Sequence, residues 1–401
     1  MTTVRDSEDF SPALRATMVN DLRAMGAITS DRVAHAVSTV PRHRFVPDQP
    51  LEAVYAADHA VVIKRDDQGT ATSSLSSAHI QSVMLEQAEI TPGMRVLEIG
   101  SGGYNAALIA ELVGDDGAVV SVDIDPQIAD RARACLNSVG YERVKVVVGD
   151  AEHGVPGEDA FDRIIVTAGA WDIPPAWRTQ LAPAGRLVVP LRLKGITRSI
   201  AFETEGEELT SVSYRLSGFV PMQGDGQHHE RVYPVGDHGS WGLRTDDDTF
   251  DIAASELRAA LERPRLEQPS GTVFDLPDEL ELFLLASHPQ MMMLHARPTL
   301  IEQRAFAASA GRGVPALVRG GSFAYRTKRE NADVGGFETV VIAHGPAAEQ
   351  VAAEYLGLLR CWARDHRRRG AATIRYIPVG HLAPTDGAIS KRHGTVAITW
   401  H

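Results

Sequence analysis

Between residues 92 and 193 the chain alternates between short runs dense in valine and isoleucine and longer stretches with apolar residues at helical spacing. Residues 95–99, 118–123, 144–148, 163–168 and 186–191 are of the first kind and predict strands. Residues 105–113, the segment from Pro126 to Gly140, and residues 175–181 are of the second kind and predict helices. Strands joined by crossover helices pair in parallel, so the pattern predicts an α/β fold with a mainly parallel sheet covered on both faces. Upstream, residues 12–40 read as helical, with Leu14, Met18, Leu22 and Met25 in register. Ser76 and Ser77 precede Ile80, Val83, Met84 and Ala88, which read as a capped helix with an apolar stripe.

After residue 195 the rhythm changes. Residues 200–203 and 209–216 flank an acidic, glycine-containing turn and predict an antiparallel hairpin. Residues 223–248 are polar with little periodicity. Helices are predicted near 255–261, 277–286 and 347–365, and strands at 291–295, 322–327, 339–344, 373–378 and 395–400. The expected partition is therefore a helical segment (1–90), an α/β core (91–225), a linker or mobile loop (226–250) and a C-terminal α+β domain (251–401). In that last domain residues 274–285 and the Phe323/Tyr325 strand read either as a peptide groove or as core.

The 401 residues carry 52 acidic and 40 basic side chains, a net charge of −12, which argues against general affinity for nucleic-acid phosphates. Two cysteines, far apart, exclude a disulfide framework and a cysteine zinc site. His59, His228, His229 and His238 have no metal-ligand spacing, so no metal is expected. No apolar run approaches a membrane span, and residues 1–12 are polar and acidic rather than signal-like, so the expectation is a soluble, cytoplasmic protein.

The strongest local signal is the run Val96-Leu97-Glu98-Ile99-Gly100-Ser101-Gly102-Gly103-Tyr104, a strand running into glycines and then a helix. Glycines there let the backbone approach a ligand closely. The dinucleotide fingerprint wants a third glycine where position 105 has Asn, whereas Glu98 before the glycines is the arrangement of S-adenosylmethionine methyltransferases. A tight turn in some other α/β protein is the rival reading of this run alone. Asp123 ends the next strand about 20 residues after the first glycine, the offset at which a carboxylate meets ribose hydroxyls. Asp150 follows the third strand, where an adenine amino group would be met. Three acids at one edge of one sheet point to S-adenosyl-L-methionine, with S-adenosyl-L-homocysteine as product. The expected contacts are Glu98, Gly100, Ser101, Gly102, Gly103, Tyr104, Asp123, Ile124, Asp150, Ala151 and Thr167.

Residues 40–47 (VPRHRFVP), 53–58 (AVYAAD), 162–168 (DRIIVTA), 185–190 (GRLVVP) and 218–221 (GFVP) together resemble the protein L-isoaspartate O-methyltransferase family over roughly residues 15–225. The resemblance implies a Rossmann-like S-adenosylmethionine-dependent methyltransferase whose segment 1–90 lies on the substrate side. The family's Thr-x-Ser element matches Ser74-Leu75-Ser76, which implies a catalytic role for Ser76 and substrate contacts from Ser74, Ser77, His79, Tyr55 and Asp58. Departures include a glycine loop one residue short, an insertion between Ile63 and Ser76, Ala78 in place of the usual proline, and a chain that continues to residue 401.

Residues 100–108, 169–177, 192–202 and 391–393 resemble the lanthipeptide-associated (FxLD-type) branch. That branch implies methylation of an ordinary aspartate in a modified, macrocyclic precursor peptide, then collapse of the ester to a succinimide (aspartimide) that opens to isoaspartate. The C-terminal domain would dock that peptide. General isoaspartate repair is the alternative, and a catalytically idle peptide-binding module a more distant one.

Overall fold

The helical stretch expected over residues 12–40 is two helices, α1 (Ser11–Ala24) and α2 (Asp31–Thr39). Gly26 divides them: its φ of +70° suits glycine and penalises other residues. Ser30 then caps α2, its hydroxyl accepting the Val33 N–H at 3.2 Å. The structure is a computed structural model and describes residues 10–246, 252, 254–382 and 387–401. It divides into two compact units, Met1–Leu191 with Thr197–Gln227, and Arg192–Ile196 with His228–His401.

In the first unit α3 (Leu51–Val54) leads to β1 (Val61–Arg65) and β2 (Ala71–Leu75), an antiparallel pair where the sequence showed only an insertion. Then follow α4 (Ala78–Ala88), β3 (Arg95–Ile99), α5 (Tyr104–Val113), β4 (Ala118–Asp123), α6 (Pro126–Ser138) and β5 (Lys145–Val148). β6 (Phe161–Val166), α7 (Pro175–Gln180), β7 (Leu181–Leu193), β8 (Ile196–Glu205) and β9 (Glu208–Leu216) complete it. Seven strands lie in the order β9-β8-β7-β6-β3-β4-β5. β3 pairs in parallel with both β4 and β6, β4 with β5, and β6 with β7, while β8 and β9 are antiparallel. Chain order reverses at β3, and in such sheets ligands bind in the crevice beyond the strands' carboxyl ends. Val96 and Leu97 of β3 and Ala106–Ala110 of α5 are buried, as a sheet covered on both faces requires.

The second unit holds β10 (Arg231–Pro234), β11 (Trp241–Thr245), α8 (Ala254–Ala260), β12 (Leu266–Val273), α9 (Pro277–Ser287), β13 (Met291–Ala296) and α10 (Pro298–Glu302). β14 (Val314–Arg319), β15 (Ser322–Asn331), β16 (Gly336–His344), α11 (Ala348–Cys361), β17 (Thr373–Pro378), β18 (Ala388–Ser390) and β19 (Gly394–Thr399) follow. An antiparallel sheet runs β10-β11-β13-β14-β15-β16-β12, and β19 pairs with β17 and β18. The expected linker at 226–250 is thus corrected: β10 and β11 belong to this sheet, and residues 247–250 lie outside the described residues. Pro234, Gly236, Gly239 and Gly242 broke the alternation that would have revealed the two short strands. Phe323, Tyr325, Leu280 and Leu284 are fully buried, so of the two readings of those segments core is the one observed.

Candidate active site

The glycine run turns where no side chain fits. Gly100 has φ +95°, and a Cβ there would lie 2.6 Å from the Thr167 hydroxyl. That hydroxyl bonds the carbonyl oxygens of Ile99 (3.0 Å) and Gly100 (2.8 Å), and the Gly100 N–H donates to Val122 O at 2.8 Å. The loop is therefore locked to the ends of β4 and β6. Above it opens a cavity at the carboxyl ends of the parallel strands, where such sheets bind their ligands. Its walls are residues 99–102, residues 122–125 with Ile128, residues 149–151, residues 167–168, residues 72–74 of β2, and the return segment 220–223.

Two acids face this space. The Asp123 carboxylate accepts the Ser101 N–H at 2.8 Å and the Asp125 N–H at 2.9 Å. Burial raises its pKa, and the two backbone N–H groups, with nearby Lys64, pull the other way. The bonds fix both oxygens and leave lone pairs for a vicinal diol. Asp150 accepts the N–H of Glu152 at 2.9 Å and of Asp225 at 2.7 Å, so the return segment is anchored on it. Among the described residues Asp150, His153 and Asp225 bring ligand-type atoms within 4.8 Å of one another; these bonds and the 2.9 Å His153–Asp225 contact account for the group.

Two covers close the cavity. Lys64 of β1 pairs with Asp125 and reaches Gln127 Oε1 at 3.1 Å, tying the β1–β2 hairpin to the start of α6. The return segment is held by Gly169 N–H to Val220 O (2.8 Å) and by Gln223 Nε2, which donates to Thr72 O at 3.2 Å. The Ser101 and Thr72 hydroxyls are buried, line the cavity and have no partner among the described residues. Buried polar groups are normally satisfied, so these two await a polar ligand. With the glycine cradle and Asp123 they fit a nucleoside-bearing cofactor.

The structure places the expected residues unequally. Gly100, Ser101, Gly102, Asp123, Ile124, Asp150, Ala151, Thr167 and Ser74 line the cavity. Glu98, Gly103 and Tyr104 do not line it. The Glu98 carboxylate is inside the sheet layer, bonded by Asn105 Nδ2 at 2.9 Å and by the Ser121 hydroxyl, and burial pushes its pKa up to about 7. Tyr104 is buried under the Arg42 guanidinium, 4.9 Å from its ring centroid, and edge-on to Phe45, while a Cβ on Gly103 would press on Phe45 at 3.1 Å.

On the substrate side Ser76, partly exposed, follows β2, and its carbonyl accepts from the buried Arg42 at 2.6 Å. Arg42 also bonds Gln81 Oε1 (2.7 Å) and Val54 O (2.9 Å), so one guanidinium fixes the entry to α4. Ser77 is the helix cap, accepting the Ile80 N–H at 3.4 Å. Tyr55 is buried with its hydroxyl 2.8 Å from His43 Nδ1, the His79 N–H donates to Ala57 O, and Asp58 is exposed. None of Ser76, Ser77, His79, Tyr55 or Asp58 lines the cavity. The sequence reading missed Thr72, Ser73, Asp125, Ile128, Met222 and Gln223 as walls, and took residues 218–221 as a family string, of which Val220 and Pro221 line the cavity.

A glycine cradle at the reversal of a parallel sheet, with an acid after each of the next two strands, is an arrangement that S-adenosylmethionine-dependent methyltransferases use. Residues 13–227 match the family described as Protein-L-isoaspartate(D-aspartate) O-methyltransferase (PCMT), and the chain belongs to it; the enzyme is a carboxyl O-methyltransferase that uses S-adenosyl-L-methionine. A protein-L-isoaspartate O-methyltransferase of Methanopyrus kandleri is 40% identical over 214 residues, 53% of this chain and 92% of that protein. One from Thermotoga maritima is 39% identical over 175 residues, 43% of this chain and 54% of that protein. A solved protein-L-isoaspartate O-methyltransferase, 23% identical, matches 96% of this chain and 99% of its own with a TM-score of 0.52, a likeness of fold. Among the described residues no helix is long and apolar enough to cross a membrane.

Proposed function

We propose that the enzyme methylates the free α-carboxylate of an isoaspartyl residue in protein or peptide substrates, with Ser76 as the group that orients it. Family membership over residues 13–227 is the observation that carries this reading. When bound, S-adenosylmethionine supplies a methyl group on a positively charged sulfur. Asp123 and Asp150 hold its ribose and adenine ends, and the hydroxyls of Ser101 and Thr72 meet its polar atoms. The acceptor carboxylate, with an ordinary pKa near 4, is already an anion at neutral pH and needs no general base. The protein's task is positioning and removal of water from the attacking oxygen. Ser76 donates a hydrogen bond to that carboxylate, and Arg42 fixes the Ser76 backbone; the β1–β2 hairpin and the return segment keep solvent out.

The test is Ser76→Ala. Methyl transfer to an isoaspartyl peptide should fall by up to about 100-fold, with unchanged affinity for S-adenosylhomocysteine by calorimetry. An equal loss of cofactor affinity would remove the orienting role. The narrower acceptor, an ordinary aspartate in a ribosomally made, ring-bearing peptide, rests on the branch-like strings at 169–177 and 192–202. The second unit adds nothing to it, because the solved isoaspartate methyltransferase matches this chain over 96% of its length. Mass spectrometry separates the two: comparable methylation of unrelated isoaspartyl peptides favours general repair. Methylation followed by methanol loss on a lanthionine-bearing peptide alone favours the narrower acceptor.

A further inference from the structure

In the second unit a groove of about 390 Å³ runs beside β15 and β16, with Phe306, Val340 and Ile342 beneath it. Its rim carries four exposed cations, Arg265, Arg304, Lys328 and Arg329, against one acid, Glu267. That is the reverse of the whole chain's balance, a net charge of −12. Two of the cations are already engaged: Arg265 pairs with Glu267 at 2.6 Å and Arg329 with Glu338 at 3.4 Å. The other two have no ion pair among the described residues: Lys328 lies 4.5 Å from the centroid of the Phe337 ring, and the Arg304 side chain stands exposed.

Arg304 is also where the backbone is strained. It follows α10 with φ +59°, the left-handed conformation in which helices usually place glycine. Its N–H bonds Ile301 O at 3.0 Å and the next N–H bonds Leu300 O at 3.0 Å, the closure of a helix end. A glycine would serve that closure better, so the arginine is not there for the turn. What it adds is a cation on the rim of the groove with no ion pair among the described residues.

We infer that this groove docks an acidic, extended peptide segment of the methyl acceptor. The inference rests on the acceptor reading above and names the chemistry of its flanking sequence. Cations around an apolar floor suit carboxylates spaced along a chain with small apolar side chains between them. A nucleic acid is disfavoured by the acidity of the rest of the protein.

The experiment uses the full-length enzyme and two peptides that share one isoaspartyl core. One carries an extension alternating Asp or Glu with Ala or Val, the other an extension of Ser and Gly. Wild-type enzyme should show the lower KM for the acidic peptide, with a preference that shrinks as salt rises, and equal kcat. Arg304→Gly relieves the strained backbone, so its melting temperature should hold or rise; the KM for the acidic peptide should rise about threefold to fivefold, the scale of one exposed charge contact. Lys328→Glu should do the same. Neither should alter the neutral peptide. Equal KM values for the two peptides in the wild type, or variants that shift both peptides alike, would overturn the groove. If neither peptide is methylated the acceptor reading fails, and the groove is judged by fluorescence anisotropy of the labelled acidic extension alone, where charge-sensitive binding upholds it and its absence rejects it. Displacement by single-stranded oligonucleotide, but not by unlabelled acidic peptide, would overturn the assigned occupant.

Discussion

Glu98 illustrates how a residue can be found by its place in a pattern while its contacts stay hidden until the chain folds. Its position before the glycines is legible because strand, turn and helix must meet there. Where its carboxylate points is not legible, because that depends on Ser121 in the neighbouring strand and Asn105 at the start of α5, contacts only folding creates. Fully buried, it holds its proton up to about pH 7 against an ordinary 4.5. A carboxyl whose folded pKa is raised costs stability as pH rises from the unfolded value through the folded one. Glu98→Gln, neutral throughout, should therefore gain on the wild type between pH 5 and pH 8 by up to about 3 kcal/mol. Urea midpoints of both proteins at the two pH values check it, and a gap that does not change with pH would contradict it. Asp123 differs: its oxygens are fixed by two backbone N–H groups at the cavity wall, which the sequence offset anticipated because the end of a parallel strand always faces the crevice.

At the scale of elements, the parallel strands and their helices were legible because long periodic segments carry their own signal. The covers over the cavity were not. Strand β2 is only Ala-Thr-Ser-Ser-Leu, and the return segment is held by the Gln223 and Asp225 contacts rather than by any periodicity. Gly224 is the tightest point of that segment. Its φ is +78°, and a Cβ there would lie 2.2 Å from Asp150 Oδ2. Gly224→Ala should push the segment off Asp150 and weaken S-adenosylhomocysteine binding by about tenfold, the equivalent of ~1.4 kcal/mol. Gly206→Ala is the control: φ is +64° in a hairpin turn with open space around it, so it should cost stability and leave affinity alone. Calorimetric titration distinguishes the two.

At the scale of the molecule, one buried group in each unit makes stability depend on pH, and the two dependences have opposite signs. In the second, His344 is buried against Phe323, ring centroids 4.9 Å apart, with neither ring nitrogen partnered among the described residues. Burial, with Arg265 adding a little, lowers its pKa from 6.5 to about 4. The unfolded chain takes up the proton first, so this group's contribution is intact above pH 6.5 and is lost as pH falls through 4. His344→Phe should flatten that loss by up to about 3 kcal/mol, read as a smaller drop in melting temperature from pH 7 to pH 4.5; a drop as steep as the wild type's would count against it. The sequence showed a second domain but not how it begins, since residues 192–196 belong to it while the residues on either side do not.

That short excursion has a genetic corollary. Arg192 is bound by Asp246 at 2.7 Å, Gly195 N–H by the same carboxylate at 3.0 Å, and Arg192 O by Lys391 at 2.7 Å. A stop codon after Gln227 would leave the buried Arg192 without its carboxylate and residues 192–196 without the partners that hold them. The later portion of the gene is thus darned into the earlier one rather than hung from its end, and the two halves cannot be shuffled apart by a single cut.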